Sequence, residues 1–406
     1  TEQLLEYDYD HADRLLSCDH TLNEGDKIRL YTREYNELGE LVKKNLHEKR
    51  DGAYAQTIDY AYNIRGWLTS INDANLSDEN DLFGMDLHYT HNPMNETNTH
   101  FNGNISAMQW SAHGGRGTGE GHAYDFSYDG LNRLTAANYH TNGSTIPRFD
   151  VADIGYDRNG NILHLTRWGL NPGNLPGVMD DLSYTYRGNQ LLRVSDTGGP
   201  AGFRDGNTSG DDYGYDANGN MTFDANKGIT NIEYNHLNLP AVVTLSESKV
   251  SRIEYLHDAA GTKLRQTVYE GGVPTKTTDY VGNFIYEDAH DGEGRKLQLI
   301  QHDEGRLVPN ESKGTYDLQY HLKDHLGNVR ITFSTTPENY EMVETFETGN
   351  PSSVSGDFRD LHRHTNANAN TTAGGDEVEL LQSGQTGAMI FLYMNKGDTV
   401  DLTVNA

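Results

Sequence analysis

A seven-residue phrase that begins with tyrosine recurs along this chain, and it constrains the fold more than any other feature of the sequence. One copy reads YDRNGNI at residues 156–162, and another reads YDANGNM at residues 215–221. Self-similarity at a spacing of about 30 residues is typical of repeat architectures, in which one small unit is stacked many times. The repeat therefore predicts that function belongs to the array more than to a single site. The copies begin at Tyr9, Tyr35, Tyr62, Tyr128, Tyr156 and Tyr215.

Each copy has the local chemistry of a β-hairpin. In residues 56–62 the alternation places Ile58, Tyr60 and Tyr62 on one face of a strand. The turns that follow are rich in Asn, Asp and Gly, including Gly160 and Gly219, because these residues tolerate positive φ and bond to their own backbone. Such hairpins bury their faces only by stacking. We therefore expect an all-β fold in which the repeats extend one continuous, coiling sheet.

Composition agrees with many short strands and argues against several classes of partner. Hydrophobic residues make up 35% of the chain and the mean hydropathy is −0.75, values that alone would favour disorder. The 25 tyrosines and 43 glycines instead indicate aromatic strands separated by tight turns. The formal charge of −28 argues against nucleic acid and anionic membranes as partners.

The single cysteine, Cys18, excludes an internal disulfide, and no stretch is long and apolar enough for a transmembrane span. Because the first residue is Thr1 rather than Met, we expect an internal or processed piece of a longer product.

The repeat turns contain oxygen ligands at alternate positions, which is how a calcium loop begins. Asp157 and Asp216 would be the first ligands of two such loops. An EF-hand needs a bidentate glutamate at its twelfth position, where this chain has Trp168 and Lys227. We therefore expect Asx turns that close hairpins.

Other candidates for chemistry are incomplete. Residues 362 and 364 are histidines that could offer two imidazoles, but no third ligand can be named. The adjacent carboxylates at 180–181 and 211–212 would point to opposite faces of a strand, so neither pair is prepared for acid–base catalysis. The sequence therefore predicts no catalytic residue, no cofactor and no metal site.

Residues 128–134, 156–162 and 215–221 resemble the repeats of the YD-repeat, or RHS-repeat, family. Segment 320–333 resembles the start of the RHS-associated core, where a phrase of the form His-x-Asp-His-Leu-Gly-Asn-x-Arg is characteristic. The resemblance covers residues 5 to 334 and implies a spiralling β-sheet that forms a hollow shell or part of one. The residues of the core segment that carry it are Tyr320, Asp324, His325, Gly327, Asn328 and Arg330.

The sequence pattern changes after residue 334, which predicts two regions. Residues 1–334 would form the YD/RHS-repeat shell region, including the start of the core. Residues 335–406 contain short apolar runs between polar turns, and they predict a small β-sandwich-like extension that is cut short at Ala406. Residues 101–110 resemble versions of the repeat in surface proteins of Bacteroidetes-type bacteria. The segments after the core are similar to those that follow it in Bacteroidetes-type RHS proteins, and this resemblance implies export by the type IX secretion system.

Repeats and resemblance together predict a non-enzymatic, secreted or cell-surface scaffold that encapsulates, displays or carries an associated segment. We expect protein partners, namely an encapsulated segment or secretion machinery, and a glycan stays open as a further partner. Three alternatives remain at this point: a carbohydrate- or protein-binding adhesin, the shell of a polymorphic toxin, and an enzyme such as a glycosidase. Toxin-bearing relatives usually end their core with an Asp-Pro-x-Gly-Leu stretch that this sequence lacks, so self-cleavage is not carried over.

Overall fold

The computed structural model describes most of the repeat region. It covers residues 2–78, 80–113, 121–141, 148–171, 173–246, 249–311 and 313–335, together with the backbone of two short strands further on. The described residues contain strands and turns and no helix. The strands are β1 (Gln3–Tyr9), β2 (Leu15–Leu22), β3 (Ile28–Tyr35), β4 (Leu41–Glu48), β5 (Tyr54–Tyr62), β6 (Leu68–Ile71), β7 (Phe83–His88), β8 (Ala107–Ala112), β9 (His122–Tyr128), β10 (Leu134–Thr141), β11 (Val151–Tyr156), β12 (Ile162–Leu170), β13 (Pro176–Arg187), β14 (Gln190–Asp196), β15 (Tyr213–Tyr215), β16 (Met221–Asp224), β17 (Ile229–Tyr234), β18 (Pro240–Leu245), β19 (Val250–His257), β20 (Lys263–Glu270), β21 (Val273–Val281), β22 (Phe284–Asp288), β23 (Arg295–His302), β24 (Gly305–Asn310), β25 (Thr315–Lys323), β26 (Val329–Ser334), β27 (Phe358–Arg359) and β28 (Met389–Ile390).

The strands of the repeat region form two antiparallel meanders. The first sheet has 14 strands in the order β1 to β14, and the second has 12 strands in the order β15 to β26. Within each sheet, every strand pairs with its neighbours in sequence, as short turns between successive strands require. The predicted all-β fold is confirmed.

The array is divided where one continuous sheet was expected. Residues 197–212 separate β14 from β15, and the fully buried Asp212 joins the two sides. Its Oδ2 accepts the Val194 backbone N–H at 2.8 Å, and its own N–H donates to the Leu192 carbonyl at 2.8 Å. A side-chain carboxylate thus replaces a strand as the partner of β14 at this point. The prediction of one continuous sheet is wrong at this point. The repeat pattern indicates strands and turns, but it does not show where a side chain takes the place of a strand.

The chain divides into two compact units, residues 1–335 and 336–406. Within the second unit the description is limited to β27 and β28, which pair antiparallel. The predicted sandwich-like extension and the two histidines at 362 and 364 lie outside the described residues. The division at residue 334 and the sandwich stay predictions.

Ten of the described turns share one geometry. An Asp or Asn at the first position accepts, through Oδ1, the backbone N–H groups two and four residues later. The residue at the fourth position has positive φ, which Gly, Asn and Asp tolerate best. Asx turns expected at two of these positions are therefore confirmed. The first positions are Asp10, Asn36, Asn63, Asp129, Asp157, Asn171, Asp216, Asn235, Asp258 and Asp324.

The turn carboxylates are held in their charged form by the bonds they accept. The backbone N–H of Arg14 is the main cause that lowers the pKa of Asp10 to about 2. In the turn of Asp157, Oδ2 accepts the Asn161 side-chain amide at 2.7 Å while Oδ1 accepts two backbone N–H groups. These oxygens are engaged by the turn itself.

The turn geometry makes Gly160 and Gly130 a matched pair for mutation. Both glycines have open space where a Cβ would lie, but Gly160 has φ of +93° whereas Gly130 is outside the left-handed region. We expect Gly160→Ala to cost about 1 kcal/mol or more of unfolding free energy, because the left-handed conformation strains an alanine. Gly130→Ala should change it by less than about 0.5 kcal/mol. Urea unfolding followed by circular dichroism measures both, and equal midpoints for the two variants would contradict the turn assignment.

Candidate functional site

The repeat tyrosines form a row of hydrogen bonds that joins each repeat to the one before it. Each hydroxyl donates to a backbone carbonyl at the start of the strand that follows the preceding turn. Tyr35 donates to Leu15 at 3.0 Å, and Tyr156 donates to Leu134 at 2.7 Å. The ring packs along the sheet while its hydroxyl satisfies a backbone acceptor. The same bond is made by Tyr62, Tyr89, Tyr128, Tyr215 and Tyr234.

The first copy, Tyr9, differs from this tyrosine row. It lies at the end of the edge strand β1, and 56% of its surface is exposed. The row therefore begins in effect at the second copy, where a preceding repeat supplies the carbonyl.

Side chains after the turns extend the links between neighbouring repeats. The guanidinium of Arg133 lies 4.5 Å from the centroid of the Tyr156 ring and donates to the Asp157 carbonyl at 2.9 Å. In the next turn, the side-chain amides of Asn159 and Asn161 both donate to Asn189 Oδ1, each at 3.1 Å. Arginine and asparagine thus serve the same purpose in different copies, which is why the sixth position of the phrase varies.

The segment that carries the family resemblance contains another turn of this type. Asp324 Oδ1 accepts the backbone N–H of Asn328 at 2.9 Å, and its Oδ2 accepts Arg330 Nε at 2.9 Å. Burial acts to raise the pKa of Asp324, but the bonds from these residues outweigh it and lower the pKa. Gly327 has φ of +83°, as the fourth turn position requires. Burial lowers the pKa of the neighbouring His325.

Tyr320, which the sequence groups with the repeat tyrosines, lies in a different environment. It is fully buried, its hydroxyl is 3.3 Å from His47 Nδ1, and its ring stacks on Phe333 at 5.5 Å between centroids. The contact with His47 joins strand β25 to strand β4, near the two ends of the repeat region. Tyr320 thus belongs to a core rather than to the tyrosine row.

That core forms because the beginning of the first sheet packs on the end of the second. Burial of such apolar surface is worth about 25 cal/mol per Å², so a shared core of this kind holds the two ends together. Strands β2 to β7 and strands β23 to β25 contribute the buried side chains. They are Cys18, Leu30, Tyr31, Leu46, Ile58, Ile71, Phe83, Met85, Leu87, Ile300, Leu307, Leu318, Tyr320 and Leu322.

The tight turn between β23 and β24, residues 302–305, is the polar part of this contact, and we call it the closing turn. Glu304 is only 4% exposed; its carboxylate accepts Arg33 Nη2 and Lys44 Nζ, each at 3.0 Å. Asp303 Oδ2 accepts the Tyr31 hydroxyl at 2.8 Å. The Glu304 carboxylate is thus buried against strands β3 and β4 and neutralised by two cations, while the exposed Asp303 bonds to β3.

Sequence reasoning missed the closing turn. In the sequence, residues 302–305 read as one more exposed polar hairpin turn, and Arg33 and Lys44 read as ordinary strand positions. The one local signal is Gly305, where a Cβ would lie 2.0 Å from the Gln319 carbonyl oxygen. That signal reports close packing on β25 but does not reveal the partners on β3 and β4.

The described residues hold no group of three or more His, Cys, Asp or Glu side chains placed to bind a metal ion. The adjacent carboxylates that the sequence offered have structural partners instead. Asp180 Oδ1 accepts the Phe203 backbone N–H at 2.6 Å and its Oδ2 contacts Arg167 at 2.5 Å.

The tyrosine row predicts a graded response to loss of single hydroxyls. Tyr156→Phe should lower the unfolding free energy by about 1 kcal/mol, because the part-buried Leu134 carbonyl loses its partner. Tyr9→Phe removes the same atom at an exposed position and should cost less than about 0.5 kcal/mol. The urea midpoints of the two variants measure these changes. A larger loss of stability in Tyr9→Phe than in Tyr156→Phe would refute the stabilising role of the tyrosine row.

The closing turn predicts a larger effect. Glu304→Ala leaves the part-buried cations of Arg33 and Lys44 without this carboxylate and should cost about 2–4 kcal/mol. Glu293→Ala is the control, since Glu293 is 69% exposed beside Lys296 and such pairs contribute at most about 1 kcal/mol. Thermal and urea unfolding should separate the two variants. If both shift stability equally, the closing turn does not hold the two ends together.

Comparison with known proteins rests on structure. No protein-family model matches the chain, and no curated protein is similar to it in sequence. A crystal structure of TcdB2-TccC3 without its hypervariable C-terminal region matches with a TM-score of 0.55 and 15% identity, over 82% of this chain and 16% of that chain. The complex TcdB2-TccC3-Cdc42 matches with a TM-score of 0.58 and 16% identity, over 82% and 16% of the two chains.

A Photorhabdus luminescens Tc holotoxin pore that carries a substitution in TccC3 matches with a TM-score of 0.51 and 13% identity, over 81% of this chain and 17% of that chain. This chain therefore spans only 16 to 17% of the length of the chains it matches. At such identities the likeness concerns the fold. The chain has an RHS-like, all-β repeat fold.

Proposed function

We propose that this chain is a non-enzymatic wall segment of an RHS-type shell that encloses or carries an associated polypeptide. One observation carries the proposal: the two ends of the repeat region are joined face to face, with the buried Glu304 of the closing turn bound to Arg33 and Lys44. A wall that encloses something must hold its first and last repeats in place. The shared core and the buried ion pairs are the means of doing so.

The repeat links support a mechanical role of the same kind. From the second copy on, repeat tyrosines such as Tyr35 and Tyr156 bond to the preceding repeat, and post-turn side chains such as Arg133 bond to the next one, so load is passed along the array from unit to unit. The buried carboxylates serve turns and sheet junctions, as Asp212 and Asp324 do. These uses favour a scaffold over an enzyme.

A protein partner and a secreted or surface location belong to this proposal. The structural neighbours include a Tc holotoxin pore, which favours an assembly of several proteins and a shell role in a toxin. Among the described residues no helix has the length and apolar character needed to cross a bilayer. A Bacteroidetes-type origin remains a proposal that rests on the resemblance of residues 101–110. Export by the type IX system remains one that rests on the resemblance of the segments after the core.

A second candidate is a carbohydrate- or protein-binding adhesin, and one observation favours it. On strands β8 to β10, the Trp110 ring stacks on His122 and Tyr124 at 5.5 and 5.7 Å between centroids, and Tyr139 packs edge-on against Phe149. A row of part-exposed aromatic faces is a surface on which sugars or apolar peptide segments stack. Such a surface also suits the lining of a shell.

Protease protection of the full-length gene product tests the proposal. With a fluorescent tag at its far C-terminus, the product is treated with proteinase K before and after mutation of Glu304. We expect a segment outside residues 1–335 to survive digestion in the unmodified protein and to be degraded in Glu304→Ala, with Glu293→Ala as the control. Equal digestion in all three would overturn the enclosing role, and glycan-array binding that is lost with Trp110→Ala would then favour the adhesin.

A further inference from the structure

Two buried histidines lie near each other where the closing turn meets the first sheet. His20 on strand β2 is 1% exposed, and His302, the first residue of the closing turn, is 8% exposed. The Nε2 atoms of both rings are buried without a hydrogen-bond partner. Unpartnered buried polar atoms are uncommon in native proteins, and each one invites an explanation.

The surroundings of His302 favour a neutral ring. Its Nδ1 lies 3.3 Å from the Glu304 backbone nitrogen and accepts that N–H, which places the ring proton on Nε2. A second proton would have to occupy Nδ1, where it would face the Glu304 donor. The charged ring would thus lose its one bond and gain none inside the core.

The carboxylates near His302 already have partners, so none is free to pair with a protonated ring. Both carboxylates of the closing turn are already bound, Glu304 to Arg33 and Lys44, and Asp303 to the Tyr31 hydroxyl. Asp19, next to His20 on β2, is bound to Lys27 and Arg29. The remaining neighbours are neutral, or cationic when protonated. The titratable and charged groups around the site are Tyr7 from β1, Cys18 and His20 from β2, Tyr31 and Arg33 from β3, Lys44 and His47 from β4, Tyr320, His321 and Lys323 from β25, and Asp303 and Glu304 from the turn itself.

We propose that the contact between the closing turn and strands β2 to β4 is an acid-sensitive switch. In mild acid, His302 and His20 take up protons that the closed contact cannot hold. The closing turn then separates from the first sheet, while each of the two sheets, whose strands are paired from neighbour to neighbour, remains folded. The device would open the wall in an acidified compartment and keep it closed at neutral pH.

The direction of the effect follows from linkage. Burial, followed by the neighbouring His20, lowers the pKa of His302 from 6.5 to about 4, and burial also lowers the pKa of His20. A histidine with a depressed pKa stabilises the closed state fully above about pH 6.5, and this contribution is lost as pH falls towards 4. For His302 alone, the open state should gain roughly thirtyfold in population between pH 8 and pH 5.

Cys18 provides the readout. It is the only cysteine of the chain, it is 1% exposed, and it belongs to the core that the closing turn covers. The full chain is labelled with 4,4′-dithiodipyridine, which reacts with thiols in acid as well as at neutral pH, and rates are divided by those of a cysteine peptide. We expect the corrected rate to rise roughly thirtyfold from pH 8 to pH 5 with an unchanged far-UV circular dichroism spectrum.

Single substitutions test which histidine causes the rise in Cys18 labelling at low pH. His302→Gln keeps an acceptor for the Glu304 N–H and does not titrate, so labelling should become nearly independent of pH; His20→Gln should reduce the rise in part. His164→Gln is the control, because His164 is half exposed beside Asp153. The proposal is overturned if labelling is equal at both pH values, if it rises only with loss of the β-sheet spectrum, or if the His302 and His20 variants keep the full rise. Should His302→Gln fail to fold, His20→Gln decides.

Discussion

The hydrogen bond from a tyrosine hydroxyl to the carbonyl of the preceding repeat is the interaction on which this array depends. Antiparallel strands joined by tight turns form a sheet, but a bare ladder fixes only neighbouring strands. The tyrosine reaches over the turn region and ties one repeat to the next, as Tyr156 does with Leu134. The Asp or Asn that follows each tyrosine closes an Asx turn, and this turn fixes the position of the tyrosine relative to the preceding repeat. The same two interactions, the Asx turn and the tyrosine hydrogen bond, therefore attach each further repeat to the sheet.

Much of this architecture was predictable because its chemistry is local. The alternation before each tyrosine, and the Asn, Asp and Gly residues after it, determine strand and turn without any distant contact. The closing turn could not be predicted in the same way. It brings Glu304 to Arg33, which is far away in the sequence, and the meeting point depends on the accumulated twist of many strands. Tyr320 shows the same limit, because its phrase suggests a repeat position while its burial comes from the distant His47.

The acidic residues of this chain contribute to its fold as well as to its charge. The chain carries 60 acidic residues against 32 lysines and arginines, which suggests a solvated, self-repelling surface. Several of these carboxylates are instead consumed by the fold. They accept backbone N–H groups in the repeat turns, replace a strand at Asp212, and join sheet to sheet at Glu304. An excess of negative charge is thus partly the cost of building turns from Asp where Asn would also serve.

The face-to-face contact of the two ends sets a condition on the number of repeats. Bonds between neighbours would allow the array to gain or lose whole units freely, as open solenoids do. Here the closing turn must arrive opposite Arg33 and Lys44 after a fixed amount of twist. An added repeat between β4 and β23 would preserve every local bond and still carry the turn past its partners. The contact between the two ends therefore fixes the number of repeats between β4 and β23, whereas the sequence of each repeat can vary.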